Sequence, residues 1–459
     1  MVSRDLQSYS NFFKGYTELR VQENRSTRIA IVKGNITVNT RAANSGVSAR
    51  VYQEGYWGFA SNPLLSENEI KKVIQSATQN AFFLSSKEKP KGNQLPVRNI
   101  HSINDYTTQK PVKTQSELIG FLMDLDEYIN THCQGLSSRA VILQTLDMEK
   151  SLLTSDGSSS YSMIPRTILY TVMSVIKDGE PFELHQTFGG LGQFEDVFES
   201  PQDLFQKFDK QYEHLLDKAN GNYAEAGIKE VILDADVAGI LAHEAIGHTT
   251  EADLVMSGSV AGDLLGKPIA GELITLVDFA NSAQGKTCPV PVFSDDEGTA
   301  AEDCVIIERG ILKRFMHNKE SARIFGHSLT GNARAYDFSD EPLIRMRNTA
   351  ILPGESKLEE MIASVDEGYY LMKASNGQAD STSEFMFGIV QGYEIKNGKL
   401  GKAIKDTTIS GVAIDVLKSV TMVSDDMTWN CAGMCGKKQL IPVGMGGPAI
   451  KCKVNIGGK

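Results

Sequence analysis

The chain has 459 residues, 41% hydrophobic and 22% charged, with a net charge of −11. That length exceeds what one small core organises and sets an expectation of two domains in an ordinary globular protein. The acidic balance, with no basic stripe to offset it, excludes a nucleic-acid backbone as partner.

The opening residues, MVSRDLQSYSNFFKGY, hold no continuous apolar stretch and no small-residue cleavage site. No segment approaches about 18 uncharged apolar residues, so neither export nor a membrane span is expected. The six cysteines (Cys133, Cys288, Cys304, Cys431, Cys435, Cys452) are sparse and irregular. Free thiols in a reducing cytoplasm are the simpler reading, which leaves a thiol available as a metal ligand.

Strands are predicted over Tyr16–Ala60, where apolar and β-branched residues alternate about a turn at Lys33-Gly34-Asn35. Ser66, with Glu69 three residues on, starts a helix whose core stripe is Ile70, Val73, Ile74, Ala77 and Ala81. A polar loop is expected over Lys87–Pro96. Thr114 and Glu117 form a capping box for a second helix with Leu118, Phe121, Leu122, Leu125 and Ile129 inward. Strands resume at Ala140–Thr145, turn at Asp156-Gly157, and return through TILYTVMSVIK to a turn at Asp178-Gly179. Ser200-Pro201 opens a third helix carrying Leu204, Phe205, Phe208, Tyr212, Leu215 and Leu216 on one side. The polar run Asp217–Glu225 marks the domain boundary. The expected class is α+β: a mixed sheet with helices over residues 1–220, then a strand-rich domain over 221–459 arranged around one helix.

That helix lies in Val231–Leu254, VILDADVAGILAHEAIGHTTEADL. An apolar run ends at Asp234, and a helix-like segment then carries His243, Glu244 and His248. Two neutral imidazoles that hold a metal, with a carboxylate to take a proton from its water, are the parts of a zinc hydrolase. In the familiar His-Glu-x-x-His the histidines are four apart and share a helical face. Here they are five apart, roughly 140° around an ideal helix. A local π-type turn brings both to one ion, and Gly247 makes that distortion cheap. Two ordinary helix histidines beside a carboxylate are the plainer alternative.

Downstream, short strands are expected through Leu273–Ile311, with a hairpin in CVIIERGILKRFM around Glu308–Gly310. A short helix is expected over Lys357–Val365, a type I′ hairpin at Asn397-Gly398, and a helix over Ile409–Val420. A catalytic zinc takes three protein ligands and keeps an open position. Glu251, Asp253, His317, His327, Cys431 and Cys435 all qualify for the third, and spacing does not choose among them. Gly189–Gly192 lacks the residues of a phosphate cradle and reads as a tight turn. Asp295-Asp296-Glu297-Gly298 lacks the spacing of an EF-hand loop.

These segments resemble the TldD/PmbA family of zinc metalloproteases, and are closest to its TldD branch. The resemblance rests on HEAIGHTTEAD (His243–Asp253), DDEGT (Asp295–Thr299), ERGILKRFM (Glu308–Met316), TGNARA (Thr330–Ala335), RMRNTAILPG (Arg345–Gly354), GQADSTS (Gly377–Ser383) and MCGKKQLIPVGMGGPAIK (Met434–Lys451). It implies His243, His248 and Cys435 as zinc ligands and Glu244 as general base, with Cys431 a bystander. It also implies peptides or unfolded polypeptides as substrates, and a homodimer or a heterodimer with a PmbA/TldE-like subunit. Arg334, His317 and Tyr336 are candidates to stabilise the oxyanion. The strand-rich second half, including Ser375–Gly377, suits a substrate that pairs with a sheet edge. A non-catalytic peptide-binding or regulatory subunit with a structural zinc is the alternative, although Glu244 would then have no task.

Overall fold

Alternation along the first strands sets the architecture. The computed structural model describes residues 5–457 except 88, 90, 91 and 93, with the backbone alone at Asn376. The loop expected over Lys87–Pro96 therefore falls partly outside the described residues. Strands β1 (Tyr16–Val32), β2 (Asn35–Gln53) and β3 (Tyr56–Asn62) form an antiparallel meander, and helix α1 (Glu67–Lys87) follows. Strand β4 (His101–Asp105) and helix α2 (Gln115–His132) lead into a second meander of β5 (Ser138–Thr154), β6 (Ser159–Lys177) and β7 (Glu180–Leu191). The order is β3-β2-β1-β5-β6, and the outer edge of β6 is shared by β4, parallel to it, and β7. Short α3 (Phe194–Val197) and α4 (Phe205–Ala219) complete the first domain.

One face of this sheet is apolar because side chains alternate along a strand. Leu19, Val21, Val47 and Val51 pack with Ile70, Val73, Ile74 and Ala77 of α1 in one cluster. The Thr114–Glu117 capping box of α2 forms as expected, and Leu122, Leu125 and Ile129 are fully buried. The opposite face carries Glu18, Arg20, Gln22 and Arg50, and these polar residues are buried too. They meet the second domain.

The second domain is built around a small closed barrel. Strand β8 (Gly227–Leu233) pairs with Glu367–Ala379 on one side and Ile450–Ile456 on the other. The latter pairs with Thr407–Val412, which pairs with Glu384–Lys396, and that strand closes the ring on Glu367–Ala379. Beside it lies a sheet that includes Leu276–Phe279, Asn348–Ile351 and Gly444–Gly447. Helix α5 (Ala235–Leu241) leaves β8 directly and packs between these layers. The chain is thus a two-domain α+β protein with strands dominant in its second half.

The hairpins at Arg309-Gly310 and Asn397-Gly398 form where expected, each with both residues at positive φ. The helix expected over Ile409–Val420 is shorter than the sequence suggested. Thr407–Val412 is a barrel strand, and the helix spans only Ala413–Lys418. The β-branched Thr407, Thr408, Ile409 and Val412 suit the pleated ladder that pairing with Glu384–Lys396 supplies. Gly189–Gly192 is also different: Gly189 and Gly190 lie within the last residues of β7, at φ of 110° and 151°, and a Cβ at Gly189 would strike the Thr167 carbonyl.

Candidate metal centre

Asp234 caps α5, its Oδ1 accepting the amide hydrogen of Ala235 at 2.9 Å. The helix is regular to Leu241, widens into a π-turn over Ala242–Gly247, and tightens to a 3₁₀ turn at His248–Thr250. The extra residue in the π-turn is what lets histidines five apart converge. Their rings lie 5.3 Å apart, nearly perpendicular at 82°. Gly247 serves this turn in another way than expected. Its backbone is ordinarily helical, at φ −56° and ψ −55°, and a Cβ there would collide with Met346 Sδ. The glycine leaves the room that the buried Met346 side chain occupies. Gly247→Ala is expected to cost about 1–3 kcal/mol through overpacking and to weaken metal uptake, read from thermal unfolding and a zinc titration.

The second contribution comes from near the C-terminus. A two-stranded hairpin, Met434–Lys437 with Gln439–Pro442, places Cys435 opposite Ile441. Ligand atoms of His243, His248 and Cys435 all lie within 4.8 Å of one another. Cys435 Sγ is 3.3 Å from His248 Nε2. His243 is fully buried, and its two ring nitrogens make no hydrogen bond among the described residues. A buried imidazole left so would be costly without a ligand to satisfy it. Two imidazoles and a thiolate are a donor set that suits zinc, so the residues fit that ion.

Electrostatics prepare the thiol for the same use. Burial raises the Cys435 thiol, but His243 and His248 beside it outweigh that and pull it down to about 4. Burial likewise lowers His248, yet its bonds to Cys435 and Glu251 carry it up to about 10. Glu244 Oε2 lies 3.7 Å from His248 Nε2, and its side chain keeps 27% exposure. A partly exposed carboxylate thus stands beside one of the three donors.

The other candidates for the third ligand take different places. Glu251 lies behind His248, its Oε2 3.0 Å from Nδ1, and is fully buried. Asp253 pairs with Lys437 at 2.7 Å. His317 and His327 bond to one another at 3.0 Å, and His317 Nδ1 is held by Ser321. Cys431 Sγ donates to the Gly189 carbonyl at 3.0 Å. Of the oxyanion candidates, Arg334 donates to the carbonyls of Met346 and Pro442, and both nitrogens of His317 are engaged. The Tyr336 carbonyl accepts from Gln22 and Asn24 across the domain interface.

Sequence reasoning passed over Lys437 and Arg345. Lys437 Nζ reaches Glu251 Oε2 at 3.0 Å. Arg345, fully buried, donates to the carbonyls of Cys435 and Gln439 and so holds the hairpin in place. The two-residue step from Cys435 to Lys437 was the available signal, since alternate residues of a strand share a face.

Comparison with known proteins gives the family. Two family models match, one described as the PmbA/TldA metallopeptidase C-terminal domain over residues 226–458, the other as its domain 1 over residues 17–81. The chain belongs to the PmbA/TldD metallopeptidase family. It is 32% identical to a metalloprotease of Methanocaldococcus jannaschii, over 95% of each chain. It is 29% identical to a zinc metalloprotease TldD homolog of Saccharolobus solfataricus, over 96% of each. Among solved structures it has the fold of a protein from Thermotoga maritima described as a modulator of a DNA gyrase (TM-score 0.76, 19% identity, 96% of each chain). It also has the fold of TldE from Thermococcus kodakarensis (TM-score 0.75, 17% identity, 99% of each). In this PmbA/TldD member the His-Glu-x-x-x-His segment and Cys435 both fall within the matched C-terminal domain.

Proposed function

We propose that this chain is a zinc metallopeptidase that hydrolyses peptide bonds in peptides or unfolded polypeptides, with His243, His248 and Cys435 as ligands and Glu244 as general base. The convergence of those three donor atoms beside Glu244 carries the reading. Zinc, when bound, supplies the Lewis acidity that lowers the pKa of a water toward about 7. Glu244 accepts the proton of that water and returns it to the leaving amine. His248 is oriented for its part by Glu251, whose Oε2 accepts a hydrogen bond from Nδ1–H and leaves Nε2 directed at the centre.

The strand Glu367–Ala379 packs along the π-turn. Among the described residues its pairing with β8 covers Tyr369–Leu371, and an extended substrate would pair with the part of the strand beyond it. Main-chain pairing of that kind tolerates many sequences. The chain works in a reducing cytoplasm, where the Cys435 thiol stays free to serve the site. It pairs with a second copy or with a PmbA/TldE-like subunit, a partnership supported by the likeness to TldE.

Incubation with unfolded casein tests the activity. Cleavage should stop with a chelator and return with zinc; zinc uptake without cleavage would favour a binding subunit with a structural metal. Metal uptake should also depend on pH in a defined sense. Zinc takes a thiolate and neutral imidazoles. Cys435 has lost its proton above about 4, whereas His248 keeps its proton up to about 10. Uptake near neutrality therefore displaces one proton from His248. Apparent affinity should rise about tenfold per pH unit between about pH 6 and 9, and calorimetry in buffers of different ionisation enthalpy measures that proton directly.

A further inference from the structure

Lys437 has no part in the reaction just described, yet it is tied to both halves of the metal centre. Its Nζ donates to Glu251 Oε2 at 3.0 Å, to Asp253 Oδ1 at 2.9 Å and to the Ile344 carbonyl at 2.9 Å. The same Glu251 oxygen lies 3.0 Å from His248 Nδ1. Lys437 also sits two residues beyond Cys435 on one strand of the hairpin, so both side chains share a face. The contacts run in a ring: Cys435 to His248, His248 to Glu251, Glu251 to Lys437, and along the strand back to Cys435.

We propose that Lys437 is a positioning residue which, through Glu251, fixes the His248 ring and locks the helix to the Cys435 hairpin in the geometry that binds the metal. This rests on the metallopeptidase reading above. The two ligand-bearing segments are far apart in sequence, and among the described residues the hairpin is a two-stranded sheet of its own. Something must hold Cys435 at the imidazoles. Arg345 grips the backbone of the hairpin, while Lys437 grips the helix side. Glu251 is fully buried, and without Lys437 it loses the cation that keeps its carboxylate beside His248. A carboxylate that holds a ligating histidine typically contributes about 10–100-fold to metal affinity. A lysine that holds the carboxylate inherits much of that effect.

The test uses full-length protein carrying Lys437→Met, Glu251→Gln, or both, with zinc affinity measured by competition against a chromophoric chelator. Cobalt substitution adds the thiolate-to-metal absorption as a report on Cys435. Lys437→Met is expected to weaken zinc binding about 10–100-fold and to alter that absorption. The double variant should be no worse than the weaker single, because the two residues act through one contact. The double variant also removes both charges of the pair together, so it keeps the test alive if Lys437→Met folds poorly. A purely structural ion pair would lower thermal stability and leave zinc affinity unchanged, and that result overturns the proposal, as do additive losses in the double variant. Zinc uptake by the unaltered protein without cleavage would overturn the metallopeptidase reading and leave the positioning role standing. Cleavage by the unaltered protein with undiminished affinity in Lys437→Met overturns the positioning role alone.

Discussion

Glu244→Gln is expected to bind zinc as the unaltered protein does and to lose turnover by about 10²–10⁴-fold, the range a positioned acid–base group contributes. The amide keeps the size of the side chain and its place beside His248, but it cannot accept a proton at neutral pH. Glu244 is not among the three converging donors, so metal content should survive. Its side chain is also partly exposed, so the substitution does not bury an unpaired group and the fold should hold. The measurement is the rate on a quenched fluorescent peptide beside zinc content in the same preparation. A variant within tenfold of the original rate would remove Glu244 from the role of base. A variant that lost its zinc would make Glu244 a ligand and call for a different base.

The part of this centre legible in the sequence was the helix. A spacing of five demands a π-turn if both histidines are to meet, and the chain makes that turn at Ala242–Gly247. Such an inference needs only local geometry. Cys435 is another matter, because nothing local says which distant thiol or carboxylate arrives. Spacing left six candidates, and the family resemblance named the one that the fold brings to the histidines. Glu251 shows why proximity in sequence misleads: it lies three residues from His248 and faces the ring from behind. The elements with strong local signals, such as the capping box at Thr114 and the turn at Asn397-Gly398, form as read. Thr407–Val412 does not, because its pairing partners lie at Glu384–Lys396 and Ile450–Ile456. The polar face of β1 was equally hidden. Alternation is the pattern of a half-exposed strand, and no local rule says that Glu18, Arg20 and Gln22 face a second domain.

That buried face gives the largest expected change in stability. Arg50→Met should destabilise the folded chain by about 3–5 kcal/mol, the usual consequence of removing one partner from a buried ion pair. Arg50 Nε donates to Glu18 Oε2 at 2.9 Å, and its Nη2 pairs with Glu297 of the second domain. Glu18 is 3% exposed and Glu297 is fully buried. Without the guanidinium, two carboxylates face each other across the interface with their shared cation gone. The loop bearing Glu297 is the Asp295-Asp296-Glu297-Gly298 run that fits no cation site in sequence. In the fold it is a plug: Asp296 takes Lys150 at 2.8 Å, and Glu297 also accepts the backbone amide of Lys319 at 2.7 Å. Gly298 lies so close to the sheet that a Cβ would press on Thr154 and Ser158. Domain docking therefore depends on this cluster of charges, and its loss should appear first as separation of the domains. Arg50→Met should show an earlier transition in thermal unfolding, and a second, lower-temperature step if the domains come apart before they melt. A variant with the original melting profile would mean that the interface holds without its central cation.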